Sequence, residues 1–329
     1  MDSTITALLA SGKGILAADE SFPTIEKRFN ALGIPSTEEA RLAYRELLFT
    51  TPRLNEFISG VILFDETIRQ RTQGGVPIPE LLARQGIIPG IKVDRGTISL
   101  ANFPGEKITE GLDGLGPRLI EYRKLGARFT KWRAVFEIGE GIPTAPCLEA
   151  NARALALFAG LCQDAGLVPI VEPEVLMEGS HDIARTEEIV SLALKCVFDA
   201  LFDHRVVLER ILLKTGMILS GAECPEQAGL GTVAAVTRRC LLRAVPAAVP
   251  GIVFLSGGQN DEIATQRLNA ICRAGPFPWK LSFSFGRALQ TPALNIWRGS
   301  PANAAAAQAA LHLSAQRNSL ALRGEASDS

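Results

Sequence analysis

Eight short apolar runs recur along the chain: GILAAD (14–19), GVILFDE (60–66), GIKVD (90–94), ARFTKWR (127–133), VPIVEPE (168–174), ILLKTGMI (211–218), GIVFLSGG (251–258) and KLSFSFGR (280–287). Their starts are mostly 30 to 46 residues apart, which leaves room for a loop, a helix and a loop each time. The stretches STEEARLAYRELLFT, LEANARALALFAGLCQDAG and TEEIVSLALKCVFDALFDH carry apolar residues at i, i+3 and i+4, the period of a helix with one buried face. CPEQAGLGTVAAVTRRCLLRAV is a weaker example. Strands separated by helices pair in parallel, because the helix is the crossover that returns the chain to the same sheet edge. Eight rounds predict an α/β protein with a (β/α)8 TIM barrel, and a doubly wound open sheet is the alternative.

No linker interrupts the pattern, so residues 1–329 are expected to form a single barrel domain. It would end in an Ala-rich helix (301–315) and a polar tail, flexible at about 324–329. Lys and Arg number 34 against 35 Asp and Glu, a balance that gives no basic surface for nucleic acid or an acidic membrane. No uncharged stretch reaches the roughly 18 apolar residues of a membrane span, and the N-terminal residues lack a secretory pattern. The six cysteines, Cys147, Cys162, Cys196, Cys224, Cys240 and Cys272, never form CxxC and are expected to be buried free thiols. A cytoplasmic protein is the expectation.

The polar residues are positioned regularly. Asp19, Lys92, Lys131, Glu172 and Lys214 each fall in, or just after, the C-terminal half of a run, and barrels carry their active sites at that end. Side chains two apart on a strand share a face, so Lys131 projects with Arg133 and Glu172 with Glu174. Any one of these charges is readily explained as half of a structural ion pair; five on separate strands are not. Lys214 poses a sharper question, because it ends an apolar run where a lone ammonium is costly. Either it extends to water, or it is a reactive amine that uses a dry pocket and a nearby cation to become neutral. Two close carboxylates, Glu172 and Glu174, would push one pKa upward, as suits a proton donor.

Other chemistries find little support. His181, His204 and His312 stand in no ligand spacing, so no metal is expected. There is no GxSxG, and GLDGLGPRL lacks the strand–helix setting of a dinucleotide site. Ser180-His181-Asp182 reads as a helix entry. FLSGGQ (254–259) and FSFGRALQ (283–290) each end a strand in glycine and are read as opening a helix. Backbone N–H groups at such turns bind anions, and these are the seventh and eighth runs, where barrels often hold phosphate. Arg287 would add a bidentate clamp, and Lys92, distant along the barrel, a second phosphate site.

The stretches GKGILAADES (12–21), GIKVDRG (90–96), KWR (131–133), VPIVEPE (168–174), LLK (212–214), FLSGGQ (254–259) and FGRALQ (285–290) together resemble class I fructose-1,6-bisphosphate aldolase, in the family's order from about residue 10 to residue 300. The resemblance implies a metal-free lyase of glycolysis and gluconeogenesis, with no cofactor beyond a covalent lysine imine. It implies small sugar phosphates as partners and a homotetramer. Carried over by motif, Lys214 is the Schiff-base lysine and Glu172, with Glu174 beside it, the acid/base that dehydrates the carbinolamine. Asp19 orients the reacting hydroxyls, and Lys131 stabilises negative charge on substrate oxygens. Ser256, Gly257, Gly258, Gly286 and Arg287 match one phosphate site, Ser21 and Lys92 the other, and Arg133 lies in a matching motif as well.

Two departures stand out. Phe22-Pro23-Thr24 replaces the Thr-Gly-Ser of animal members, so a flexible glycine becomes proline. The residues after Leu322 hold no tyrosine, whereas animal members use a terminal tyrosine in proton transfer; Glu172 or the substrate's phosphate would then protonate the enamine. Alternatives are a Schiff-base aldolase preferring sedoheptulose 1,7-bisphosphate or fructose 1-phosphate, and a non-catalytic binding barrel. The barrel without activity predicts loss of Lys214, Glu172 or Lys131, and all three are present.

Overall fold

In the computed structural model, which describes residues 1–326, the eight runs become eight parallel strands closed into a barrel. They are β1 Gly14–Ala18, β2 Ile58–Leu63, β3 Ile88–Lys92, β4 Phe129–Phe136, β5 Val168–Val175, β6 Leu212–Thr215, β7 Gly251–Phe254 and β8 Lys280–Phe285. Each strand pairs with its neighbours in sequence, and β1 closes on β8 with Ile15 opposite Ser284. Closure decides against the open doubly wound sheet. The run at 211–218 is strand only as far as Thr215, because the Ile218 N–H turns away to donate to Thr237 Oγ1 at 3.0 Å.

The period of two sorts each strand into an inner and an outer face. Leu16, Val61, Ile91, Trp132, Val171, Leu213, Ile252 and Phe283 face outward into the main core beneath the helices. Ile15, Ala17, Ile62, Phe129, Val168, Ile170, Leu212 and Val253 form a separate inner cluster, plugged from below by Ile5, Leu8 and Leu9 of the N-terminal segment. Gly90 makes room for the Phe129 ring in this cluster: a Cβ there would lie 2.3 Å from its Cζ. Toward the C-terminal ends the same inner positions become charged. Ile15 and Ala17 lead to Asp19, Phe129 to Lys131 and Arg133, Ile170 to Glu172, and Leu212 to Lys214.

Helices pack outside, and four of them start at side-chain caps. Thr37, Thr144, Asp182 and Asn260 accept from the N–H of Ala40, Cys147, Arg185 and Glu262. Asp182 thus makes Ser180-His181-Asp182 a helix entry. The helix after β7 starts at Asp261, later than FLSGGQ suggests, because Gly257 and Gly258 hold φ of +55° and +86° and keep 255–260 as a loop. The helix Leu230–Ala244 also starts late, after Pro225 and Gly229. The Ala-rich helix runs further than expected, Ala304–Leu322. Beyond it, Asn269 donates to the Ala326 carbonyl at 3.3 Å and accepts from its N–H at 3.2 Å, so residue 326 is held rather than loose. Residues 327–329 of the expected tail lie outside the described residues. All six cysteines are free, but Cys196, Cys224 and Cys272 are only half-buried. Among the described residues no helix is long and apolar enough to cross a membrane.

Candidate active site

The strand ends open into a cavity of about 860 Å³. It gathers Asp19, Ser21, Lys92, Lys131, Arg133, Glu172, Glu174 and Lys214 with Ser256, Gly257, Gly286 and Arg287. Gly258 stands just behind the lining, where a Cβ would meet an Arg287 guanidinium nitrogen at 2.9 Å.

Three buried charges, Lys131, Glu172 and Lys214, form a line on the cavity floor with the half-buried Asp19. Lys214 Nζ lies 3.0 Å from Glu172 Oε1, and Lys131 Nζ lies 3.0 Å from the other oxygen of the same carboxylate. Lys131 also donates to Asp19 Oδ2 at 3.1 Å. Register explains the meeting: Lys131 is opposite Ile170 and Arg133 opposite Glu172, so residues of one face on β4 and β5 interleave. Lys214 is 4 % exposed and Glu172 2 %, so Lys214 does not extend to water. It is instead a buried amine beside a carboxylate.

Burial opposes ionisation of Asp19, but the ammonium groups of Lys131, Lys214 and Lys92 outweigh it and hold the carboxyl well below the usual range. Burial likewise pushes Glu172 up, and Lys131, Lys214 and Arg133 more than reverse it. This corrects the expected upward shift. Glu174 is engaged elsewhere, paired with Arg133, and Glu172 faces cations, not a second carboxylate. Burial pulls Lys131 down, whereas Asp19, Glu172 and Asp94 raise it above the ordinary lysine range.

The ion pairs engage Lys131, Lys214 and Arg133; among the described residues Lys92 and Arg287 form none. Lys92 Nζ sits 5.3 Å from the centre of the Phe64 ring. Burial and the neighbouring Arg28 lower the pKa of Arg287 by more than Glu174 and Glu178 raise it. Two cations on one cavity without an ion-pair partner among the described residues suit a ligand with two anionic ends.

The helix Phe22–Asn30 adds Arg28, which the sequence reading missed. Thr24 and Arg28 follow Ser21 by three and seven positions, so all three share a face and line the cavity. Ser21 Oγ and Thr24 Oγ1 are 3.1 Å apart. Pro23 falls in the first turn, where its missing N–H would have had no helical partner. Glu20 is buried, with Arg28 at 2.6 Å and Arg45 at 2.5 Å. Ser284, on the inner face of β8, lines the cavity with a buried hydroxyl that has no hydrogen-bond partner among the described residues. Spacing from Ser21 and from Gly286 would have found Arg28 and Ser284. His181, His204 and His312 lie outside the cavity lining, and among the described residues no cluster of three or more His, Cys, Asp or Glu is placed to hold a metal.

A family profile described as fructose-bisphosphate aldolase class-I, glycolytic, matches residues 1–329. A probable fructose-bisphosphate aldolase class 1 of Xanthomonas campestris pv. campestris is 56 % identical over 98 % of this chain and 97 % of its own. The cytosolic fructose-bisphosphate aldolase 5 of Arabidopsis thaliana is 50 % identical over 98 % of this chain and 90 % of its own. Among solved structures, Plasmodium falciparum fructose-bisphosphate aldolase, in complex with TRAP and a small-molecule inhibitor, superposes with a TM-score of 0.98 at 47 % identity, covering 100 % of this chain and 95 % of that one. With an eight-stranded barrel, a buried lysine at the end of β6 and a match along its whole length, the chain belongs to the class I fructose-bisphosphate aldolases.

Proposed function

We propose that Lys214 forms the Schiff base through which this enzyme reversibly cleaves fructose 1,6-bisphosphate to dihydroxyacetone phosphate and glyceraldehyde 3-phosphate, a step of glycolysis and gluconeogenesis. The observation that carries the reading is the contact between Lys214 Nζ and Glu172 Oε1, 3.0 Å apart at the floor of the cavity. Glu172 takes a proton from Lys214, and the freed amine attacks the C2 ketone to give a carbinolamine. Glu172 returns the proton to the departing hydroxyl, which leaves as water, and an iminium remains.

The iminium then draws the C3–C4 electron pair as that bond breaks, while the C4 hydroxyl proton passes to the regenerated Glu172 carboxylate. Glyceraldehyde 3-phosphate leaves. Proton return to C3 of the enamine, from Glu172, and hydrolysis of the imine release dihydroxyacetone phosphate. Asp19, held ionised by Lys131, accepts hydrogen bonds from substrate hydroxyls and orients them. Lys131 offsets negative charge on the reacting oxygens. Arg287 with Arg28 and the Ser256–Gly258 loop holds the 1-phosphate, and Lys92 with Ser21 the 6-phosphate. Arg133 fixes Glu174 at the rim of the cavity. The imine supplies the electron sink, so the scheme needs no metal or other cofactor.

The same family reading supports a single barrel domain, a homotetramer and a cytoplasmic location, the last in keeping with the Arabidopsis relative's name. Borohydride reduction in the presence of dihydroxyacetone phosphate tests the chemistry. The expected result is a stable adduct on the peptide containing Lys214; an adduct on another lysine, or none, overturns it.

A further inference from the structure

Behind the cavity wall, a single buried amide ties two parts of the site together. Gln290 lies three residues after Arg287 on the helix Arg287–Trp297 and is 1 % exposed. Its Nε2 donates to the Ala17 carbonyl at 2.6 Å and to Glu20 Oε1 at 2.8 Å. Its Oε1 accepts from the Tyr44 hydroxyl at 3.1 Å. An amide donates only through nitrogen, so the Ala17 carbonyl and the Glu20 carboxylate, which can only accept, fix which end faces β1, and the phenol donates to the oxygen left over. Tyr44 is itself immobilised, fully buried with its ring stacked on Trp297 at 5.2 Å between centroids and the edge of Phe29 at 5.7 Å.

The two acceptors of Nε2 bracket Asp19. Ala17 precedes it by two residues on the inner face of β1, and Glu20 follows it directly and carries Arg28. Gln290 is therefore bonded on both sides of the carboxylate assigned to the substrate hydroxyls, while it sits on the helix whose first residue is the guanidinium assigned to a phosphate. An apolar side chain of the same size would fill this space. A fully satisfied buried polar group adds direction, because it fixes the relative placement of all the elements it touches.

We propose that Gln290 is a positioning residue for the aldolase reaction: it sets the separation between Asp19 at the end of β1 and Arg287 at the start of the last barrel helix. With that distance fixed, a substrate gripped by one phosphate presents its hydroxyls to Asp19 in register. The inference rests on the roles proposed above for Asp19 and Arg287. Tyr44 acts one step further out, through the orientation of the amide.

The test is Gln290→Met, which keeps length and volume and removes both Nε2 donations. A displacement near 1 Å at a reacting centre costs up to about 100-fold, so kcat/KM on fructose 1,6-bisphosphate is expected to fall about tenfold or more. Tyr44→Phe, which leaves both Nε2 donations in place, is expected to lose two- to threefold. In an Arg287→Ala background the cost of Gln290→Met should shrink to within twofold, since there is no longer a guanidinium to align. A merely structural glutamine would lower Tm and give the same fold-loss in both backgrounds, and that result overturns the proposal. So does a folded Gln290→Met enzyme with kcat/KM within twofold of the parent. Should Gln290→Met not fold, an unchanged kcat/KM in Tyr44→Phe overturns it instead. Borohydride trapping separates the two readings: an adduct on Lys214 in parent and variant leaves the Schiff-base scheme standing whatever the kinetics show.

Discussion

Glu172 holds two ammonium groups at once, with Lys214 at 3.0 Å on one carboxylate oxygen and Lys131 at 3.0 Å on the other. A proton taken from Lys214 therefore arrives on a group whose second oxygen still faces a cation. That cation returns Glu172 readily to its anionic form, which suits a shuttle rather than a store. Glu172→Gln keeps the shape and removes the proton carrier, and kcat is expected to fall by about 10² to 10⁴. Steady-state cleavage of fructose 1,6-bisphosphate measures this, and a loss below tenfold would assign the proton to another group.

Lys131→Met leaves the buried carboxylates of Asp19 and Glu172 without the cation they share. Removing one partner of a buried charge cluster costs about 3–5 kcal/mol, so denaturant unfolding at pH 7 should show a loss of that order. Part of it should return near pH 4, where protonation removes the stranded charge. A loss independent of pH would point to packing alone.

Asp19 and Glu172 are more acidic folded than their ordinary values of 3.8 and 4.5. Groups lowered in this way stabilise the fold fully above those values and lose the contribution as pH falls through the folded pKa. Lys131 is raised above its ordinary 10.5, so its contribution holds below that value and is lost only as pH rises through the folded pKa. The share of stability due to these groups should thus be flat between about pH 5 and 10 and fall on the acid side. Asp19→Asn should reduce the acid slope in denaturant titrations, and an unchanged slope would contradict the stabilisation of its charge by the neighbouring lysines.

Lys92→Ala and Arg287→Ala should each lower kcat/KM on fructose 1,6-bisphosphate by about 2–4 kcal/mol, because each leaves a phosphate without a charged partner. On fructose 1-phosphate Lys92→Ala should be nearly silent and Arg287→Ala as damaging as before. Equal losses on both substrates would show that the two ends are reversed.

Deleting residues 324–329 removes the bonds between Asn269 and Ala326, which lie outside the lining of the catalytic cavity. The expected result is a slightly lower Tm and a kcat on fructose 1,6-bisphosphate within twofold of the parent. A tenfold fall, about 1.4 kcal/mol of barrier, would mean that this segment takes part in turnover.

Much of this was legible because two periods carry it. The spacing of apolar runs marks all eight strands, and alternation places Lys131 with Arg133 and Glu172 with Glu174 on the cavity side. What alternation cannot convey is which charges from different strands touch. The acidity of Glu172 depends on Lys131 and Lys214, which come from β4 and β6, whereas its sequence neighbour Glu174 pointed the other way. Glu20 was hidden for the same reason, since its hydrogen-bond partner Gln290 is 270 residues distant. Loop conformation was the other blind spot. Two positive-φ glycines after Ser256 delay the next helix to Asp261, and composition alone does not reveal it.

The change from apolar to charged along the inner face of β1, β4, β5 and β6 also limits how such a gene can vary in length. One residue inserted between Ile170 and Glu172 would turn both carboxylates of β5 outward, into the layer of Trp132 and Val171 beneath the helices. The floor below the insertion would remain intact while the chemistry above it vanished. Changes in length are therefore confined to loops outside the cavity lining, where reading resumes in phase at the next strand, and β4, β5 and β6 act as fixed-length words whose final letters carry the charges of the reaction.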